Sequence, residues 1–518
     1  MTFAFDRYVL DCTRAELRCD GVPVAVEPQV FDLLELLVSS KGRIVTRDEI
    51  FERIWGDRIV SDAALSSRIR DARRAIGDDG DAQRLIRTVH RRGLRFVGEV
   101  SEIEGAQGTA APFTPAALAL PAFERPAIAV LPFRDISDGS AIQMVAGLEE
   151  ALATALSAWR IFPVVSRSTA SRYADADSLT LAAETGARYA LSGTLRVSET
   201  GLRVQVQLTD IEADRLLWSD RVVRGHGALQ DPEEELAAQI VILTMPELEG
   251  AEARRVLRKP ETDMTSWELA MRASWMIRAG GETDFAEAER LATASATLRP
   301  DWVLPYSLIA AARFQHAMRG FSAADSRTAF AGALEAARRA LEIDDRAWIA
   351  HALCGVGELW TNHNHERALR HVNRAIELNP SASMNYHFGG CVAGFSGQLE
   401  KARQHQERLL RMDSVYPYTA VIEADLGLWH LLGAEHDAAE ERLVRAHKWD
   451  PGYGRALQRL VSLYGLRGER NQALRAARKL SDLGLPLDLK TIAASYPFRR
   501  AEDREVFIEG LKRSGVNL

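Results

Sequence analysis

Residues 68–98 read RIRDARRAIGDDGDAQRLIRTVHRRGLRFVG. Nine arginines fall in these thirty-one positions, interrupted by the acidic turn Asp78-Asp79-Gly80-Asp81. The first part has helical spacing. On a wheel of about 100° per residue, Leu65, Ile69, Ala72 and Ile76 make an apolar stripe. Ser67, Arg70, Asp71 and Arg74 fall opposite, with Ala63 beside them, and Arg68 and Arg73 flank the stripe. The helix is expected over about residues 61–76, with Gly77 as its stop. LIRTV and LRFVG then flank His90-Arg91-Arg92-Gly93, the pattern of a hairpin with a basic tip. From Leu65 to Phe96 nine Arg stand against four Asp, a local charge of +5. A charge run alone is usually a solvated face. Here short exposed side chains accompany arginine, and a basic hairpin follows. A helix with small residues approaches the DNA major groove closely, and Arg bonds guanine bidentately.

Upstream, FAFDRYVLD, AELRCD and VPVAVEP alternate like short strands, with Asp20-Gly21 as a tight turn. PQVFDLLELLVSSKG turns helical: Phe31, Leu34 and Val38 share a stripe with Leu33 and Leu37 beside it, Pro28 suits the first turn and Gly42 follows the end. Thr46-Arg47-Asp48-Glu49 has the spacing of a capping box and starts a second helix. Residues 1–100 therefore form one unit with helix–turn–helix spacing and a basic hairpin.

Residues 3–98 resemble the winged-helix effector domain of the OmpR/PhoB class, carried by VEPQVFDLLELLVSSKGRIVTRDEIFERIWG, ALSSRIRDARRAIGDD and LIRTVHRRGLRFVG. The resemblance implies that 62–76 is the recognition helix and 87–95 the wing. It places Ser66, Ser67, Arg70 and Asp71 near bases, and Arg68, Arg73, Thr88 and His90 near the DNA backbone. Arg74 faces outward with Arg70 and joins the base-facing group; Arg91, Arg92 and Arg95 join the phosphate group, and Arg84 and Arg87 stay unassigned. Asp71 either accepts from a cytosine amine or holds a neighbouring arginine. The wing departs from the family pattern Arg-Gly-x-Gly-Tyr: His90-Arg91-Arg92-Gly93-Leu94 loses the aromatic residue and gains charge. Trp55 stands where the class has a tryptophan between the last two helices, for packing or for backbone or polymerase contact.

The whole chain has 518 residues and a net charge of −7, so a nucleic-acid surface has to be local. The length suggests about three domains. Four cysteines without CxxC are no disulfide framework and point to a reducing cytoplasm. The stretch AAPFTPAALALPAF (110–123) has three prolines and falls short of the ~20 apolar residues a spanning helix needs, so no membrane association is expected. Residues 101–124 read as an Ala/Pro-rich linker. Residues 125–245 alternate strand and helix: AIAVLPF, GLEEALATALSAW, FPVVS, LTLAAETG, then YALSGTLRVS and GLRVQVQLTDI paired across Glu199-Thr200, and LLWSDRVV. This segment resembles a TolB-N-like domain of bacterial regulators, where it commonly precedes tetratricopeptide repeats. Ser166-Arg167-Ser168 follow a strand end, where either an ordinary loop or a polar-ligand site is expected.

From 260 to 518 a helical repeat takes over. Ala288, Ala333, Ala368, Ala402, Ala439 and Ala473 recur at spacings of 45, 35, 34, 37 and 34, with an insertion expected around FSAADSRT (321–328). Such helix pairs bury their apolar stripes only by stacking. The period resembles the tetratricopeptide repeat, with Gly427, Ala439, Leu443, Ala446 and Pro451 fitting best. A concave groove for a protein or peptide partner is implied. Trp302, Tyr306, Trp348, Trp360, Tyr386, Trp429 and Tyr464 are expected mainly in the repeat core. His363, His365 and His371 lack a completing ligand, so no metal is expected. There is no GxSxG, Walker A or HExxH motif, so no catalytic residue and no cofactor is expected.

The expected fold is multidomain α+β: a winged helix, a central α/β domain and an all-α solenoid, an order that resembles CadC/HilA-like regulators. The expected function is a one-component, sequence-specific, cytoplasmic transcription regulator. No receiver domain precedes the DNA-binding unit, so control is expected from the C-terminal regions through a ligand, a partner protein or dimerisation. Expected partners are promoter DNA, RNA polymerase and a second copy of the chain on DNA. The alternative is a repeat scaffold whose basic unit binds polyanions without sequence preference.

Overall fold

The computed structural model describes residues 2–12, 16–19, 22–24, 26, 28–40, 42–47, 49–50, 53, 62–78, 83–89, 92–98, 100–103, 125–137, 141–173, 178–198, 201–225, 231–279, 282–319, 323–485 and 488–516. Two compact units result, residues 1–118 and 119–518.

In the first unit, strands β1 (Thr2–Phe5), β2 (Tyr8–Asp11), β3 (Glu16–Cys19) and β4 (Val22–Val24) form an antiparallel meander. Residues 101–103, expected in the linker, instead belong to β8 (Val100–Ile103), which pairs with the free edge of β1. Helix α1 (Pro28–Ser39) begins at its proline, and Phe31, Leu33, Leu34, Leu37 and Val38 are all buried. The chain then passes through β5 (Ile44–Val45) and helix α2 (Asp62–Ala75) into the hairpin β6 (Ile86–Val89) and β7 (Gly93–Phe96). β5, β7 and β6 make a second, three-stranded sheet. Leu65, Ala72 and Ile76 of the α2 stripe join Phe3, Phe5, Leu10, Leu17 and Phe96 in one core.

The second unit opens with β9 (Ala127–Val130) and β10 (Arg134–Asp135), both parallel to β11 (Ala187–Ser198); β12 (Gly201–Asp210) and β13 (Arg215–Arg224) follow antiparallel. FPVVS, expected as a strand, makes only a single bridge, Ile128 to Val164. Helices α3 (Ile142–Trp159) and α6 (Pro232–Arg255) cover one sheet face; the short α4 (Arg167–Arg172) and α5 (Ser178–Thr185) cover one end of the other. α6 runs ten residues past the expected boundary at 245, because Leu248, Ala251 and Ala253 continue its buried face.

Six helix pairs follow: α7 (Ser266–Ala279) with α8 (Glu282–Leu298), α9 (Val303–Arg319) with α10 (Ala323–Ile343), α11 (Trp348–Asn362) with α12 (His365–Leu378), α13 (Ser383–Phe395) with α14 (Leu399–Met412), α15 (Thr419–Leu432) with α16 (His436–Trp449), and α17 (Gly454–Arg467) with α18 (Arg470–Asp482). These tetratricopeptide-like pairs are closed by α19 (Leu489–Ser495) and α20 (Ala501–Arg513). All six recurring alanines are at most 1% exposed, as close helix approach requires. The insertion between the first two repeats lengthens α10 to 21 residues, against 14 in α12, rather than making a long loop. Trp348, Tyr386, Trp429 and Tyr464 are buried, while Trp302, Tyr306 and Trp360 pack partly buried against the same core.

Sheet and solenoid share that core. Glu252 is buried and accepts from the Tyr189 hydroxyl at 2.5 Å and the Trp267 indole N–H at 2.7 Å. The Trp159 indole donates to Ser381 at 3.1 Å, and Trp348 donates to the Trp159 carbonyl at 3.2 Å. The central domain is therefore built into the solenoid and does not stand apart from it.

Candidate nucleic-acid interface

Helix α2 presents its charged side outward. Arg70 is exposed, and the Arg74 side chain is 77% exposed. Asp71 lies between two arginines one turn away on either side, 3.6 Å from Arg68 and 4.0 Å from Arg74. The two flanking arginines favour the reading in which Asp71 holds its neighbours. The Arg68 side chain is partly buried. Ser66 and Ser67 lie within α2.

Two side chains fix this helix to the wing. Arg73, expected at a phosphate, is 9% exposed. Its guanidinium donates to the Ile86 carbonyl at 3.0 Å and to the Thr88 hydroxyl at 2.9 Å. The reason is its place at the edge of the apolar stripe, which turns the guanidinium toward β6 rather than toward solvent. Thr88, also expected at the DNA backbone, is exposed but spends its hydroxyl on Arg73. Asp78, buried in the acidic turn, accepts the backbone N–H groups of Arg84, Leu85 and Ile86 at 2.8, 2.9 and 2.8 Å. Neither tie stood out in the sequence. The signal available for Arg73 was its flanking position on the wheel; for Asp78 there was only its location right after the helix stop.

On the wing, Arg92 is exposed, and Arg87 and Arg95 are direct cross-strand partners on one face. Arg95 donates to the Gly42 carbonyl at 2.6 Å, so part of its donor set is already used. Arg84 pairs with Asp6 at 2.9 Å. Gly93 has φ +136°, and a Cβ there would meet the Val45 carbonyl at 2.0 Å, so the tight approach of β5 to β7 demands glycine. Leu94, in the place of the family's aromatic residue, is buried. His90, Arg91, Trp55 and the Asp20-Gly21 turn lie outside the described residues.

Ahead of the helix–turn–helix, the Glu49 N–H donates to the Thr46 hydroxyl at 3.2 Å, as the capping box predicts. Glu49 also receives two hydrogen bonds from Arg43, at 2.8 and 2.5 Å. That guanidinium, aided by the Thr46 backbone, holds the Glu49 carboxyl below its ordinary range.

In the second unit, Ser166 proves to be the N-cap of α4, accepting from the Thr169 N–H, and Arg167 pairs with Glu149 at 3.0 Å. The three histidines separate. His365 is buried against Ser396, His371 meets His351 at 3.0 Å, and His363 ends α11 with φ +51°. The first helices of the third, fourth and sixth pairs are partly covered by the chain itself. Tyr496 and Phe498 stack on each other and pack against Phe395, Arg455 lies over both Trp360 and Tyr496, and the Arg499 N–H donates to the Phe395 carbonyl at 2.9 Å. Among the described residues, no helix is long and apolar enough to cross a membrane.

Residues 21–96 match the family model described as transcriptional regulatory protein, C terminal, and residues 124–239 match the HilA/YgeH-like transcriptional regulator, second domain. The transcriptional regulator HilA of Salmonella typhi is 22% identical over 435 residues, 83% of this chain and 73% of its own length. The transcriptional activator CadC of Escherichia coli K12 is 30% identical over 111 residues, 21% of this chain and 22% of CadC. The solved DNA-binding domain of E. coli CadC aligns at 23% identity with a TM-score of 0.18, over 19% of this chain and 94% of that domain. The chain thus carries an OmpR/PhoB-type DNA-binding domain followed by a HilA-like second domain, and along most of its length it is similar to the HilA transcriptional regulators.

Proposed function

We propose that this protein is a one-component, sequence-specific transcription regulator acting in the cytoplasm. One observation carries the reading: Arg70 and Arg74 stand exposed on the outer face of a helix whose opposite side is tied to a basic wing. An outward helix of this kind reads base edges in the major groove, with Arg70 and Arg74 as bidentate donors and Ser66, Ser67 and Asp71 beside them. Arg68, His90, Arg91, Arg92 and Arg95 position the domain on phosphates, which carries no sequence information. Arg73 and Thr88 act by holding helix and wing in register. Winged helices of the OmpR/PhoB class usually use paired half-sites, which is the motive for a dimer on DNA, and RNA polymerase is the partner that regulation of a promoter requires. Control is assigned to residues 125–518, through a ligand, or through a protein partner that engages the solenoid.

Gel shifts on promoter fragments test this. Arg70→Ala with Arg74→Ala should abolish discrimination between specific and mixed-sequence duplex. Equal binding by wild type and the double variant would refute the recognition-helix assignment. Wing changes at Arg91 and Arg92 should weaken all sequences alike and reduce the salt slope.

A further inference from the structure

Among the described residues, the sheet of the second unit has one covered face and one that is largely open. Leu195, Val204, Val206 and Val222 point into the core beneath α3 and α6. On the opposite face, α4 and α5 shield only the end around Ala129, Ala190 and Ile211. Beyond that cover, the register sets Arg134, Thr194, Gln205 and Arg221 in one row across β10, β11, β12 and β13. The next row sets Arg196 directly opposite Arg203, with Val223 beside them. On the other side of the first row lie Ser192, Gln207 and Ser219. Side chains of directly paired residues project to the same face.

All four arginines are exposed, and among the described residues none of their guanidiniums has a carboxylate partner. Other arginines of the unit are held in ion pairs. Arg160 is paired with Asp344, Arg167 with Glu149, Arg188 with Glu252, Arg255 with Asp210 and Arg290 with Glu261. Like charges directly opposite each other disfavour a strand pair, so Arg196 against Arg203 works against the fold and calls for a compensating anion. The cations are spread, not convergent: Arg134 and Arg221 are three strands apart, about 14 Å at ~4.8 Å per strand. A spread of that kind on a flat surface fits an extended polyanion better than a single phosphate. It also lacks the apolar centre that a protein interface is built around, since its exposed apolar residues Leu216 and Val223 both sit on the edge strand β13.

We infer that this face binds the sugar–phosphate backbone of duplex DNA outside the segment contacted by the winged helix. The inference rests on the DNA-binding function proposed above. The 21 residues 104–124 that connect the units can span at most about 75 Å, a reach that allows both surfaces to engage one DNA molecule. The arginines neutralise phosphates, and Ser192, Thr194, Gln205, Gln207 and Ser219 supply uncharged hydrogen bonds between them.

The test is fluorescence anisotropy of the full chain on a labelled 60-bp mixed-sequence duplex across a salt series. The wild type is compared with the triple variant Arg196→Gln, Arg203→Gln and Arg221→Gln. Each lost phosphate contact lowers the log–log salt slope by about 0.9, so the triple variant should lose about 2 to 3 from its slope and bind at least tenfold more weakly at low salt. Its melting temperature should not fall, because an opposed pair of like charges has been removed; Arg203→Gln alone should lower the slope by about 0.9. A slope unchanged within 0.5 overturns the inference, as does loss of binding to polyglutamate or to anionic phosphatidylserine vesicles with an unchanged DNA slope. Arg70→Ala with Arg74→Ala is run in parallel. If that variant keeps full sequence preference while the sheet variant loses slope, the recognition-helix reading fails and the sheet inference stands. If the wild type binds no duplex, both fail.

Discussion

Replacing Asp78 with alanine should uncouple the wing from the recognition helix. One carboxylate oxygen of Asp78 accepts from the Arg84 N–H at 2.8 Å, and the other accepts from Leu85 and Ile86 at 2.9 and 2.8 Å. Leu85 and Ile86 are 3% and 0% exposed, so water reaches their amides poorly, whereas Arg84 is exposed and can be rehydrated. A buried donor left without an acceptor costs about 1–3 kcal/mol. Two such donors put the loss for Asp78→Ala at about 2–6 kcal/mol, large for a domain of this size. The assay is hydrogen exchange by mass spectrometry on the full-length chain, read separately for peptides covering 83–98 and for the solenoid helices. Protection over 84–89 should fall by about one and a half to four orders of magnitude at ~1.4 kcal/mol per tenfold, with α11 to α18 unchanged, because the two units have separate cores. Asp71→Ala, which removes a half-exposed carboxylate from surface pairs at 3.6 and 4.0 Å, is the control and should move stability by less than about 1 kcal/mol. Unchanged protection over 84–89 in Asp78→Ala would refute the reasoning, since the three amides would then not depend on that carboxylate.

Other outcomes follow from the same contacts. Arg73→Leu should destabilise the first unit by about 2 kcal/mol by leaving the Ile86 carbonyl and Thr88 hydroxyl without their charged donor; a purely phosphate-contacting Arg73 would instead leave thermal stability untouched and change only the salt slope. Gly93→Ala should cost more than about 2 kcal/mol, because the new Cβ meets the Val45 carbonyl and φ is +136°, and a melting curve equal to wild type would show that β5 can retreat. In the solenoid, burial lowers the His387 pKa from 6.5 to about 4. The unfolded chain therefore binds a proton that the folded chain does not between these values. The stabilisation is fully present above pH 6.5 and is lost as pH falls toward 4, by about 3 kcal/mol in all. His387→Gln should flatten urea-derived stability against pH in that window by this amount, and an unaltered slope would count against a buried neutral imidazole. Ala439→Leu should unfold the fifth repeat locally, because the alanine is 0% exposed where the two helices meet; intact exchange protection of α15 and α16 would contradict that packing.

Much of the architecture was legible because it depends on period. The apolar stripes of α1 and α2, the basic hairpin and the recurring alanines are spacing patterns, and spacing survives without knowledge of what packs against what. Gly77, with φ +60°, and Gly42, with φ +81°, end their segments as their positions suggested. The exposed side of α2 was legible for the same reason: Arg70 and Arg74 lie opposite the stripe, and no long-range partner can reach them from the core.

What the sequence by itself determined, then, is which residues share a face. The tertiary structure decided what each face meets. Arg73 and Arg74 are neighbours of identical chemistry, yet one is buried against β6 and the other is exposed, because a helix turns about 100° per residue and only one of them points at the wing. Asp78 is one of three aspartates in a single turn, and its buried position lets it collect three amides. The boundary expected at 245 vanished inside α6, since Glu252, Trp267 and Tyr189 join sheet and solenoid through contacts 15 and 63 residues apart in the chain. Likewise, Arg196 and Arg203 are seven positions apart in sequence, and only the hairpin register brings their charges face to face.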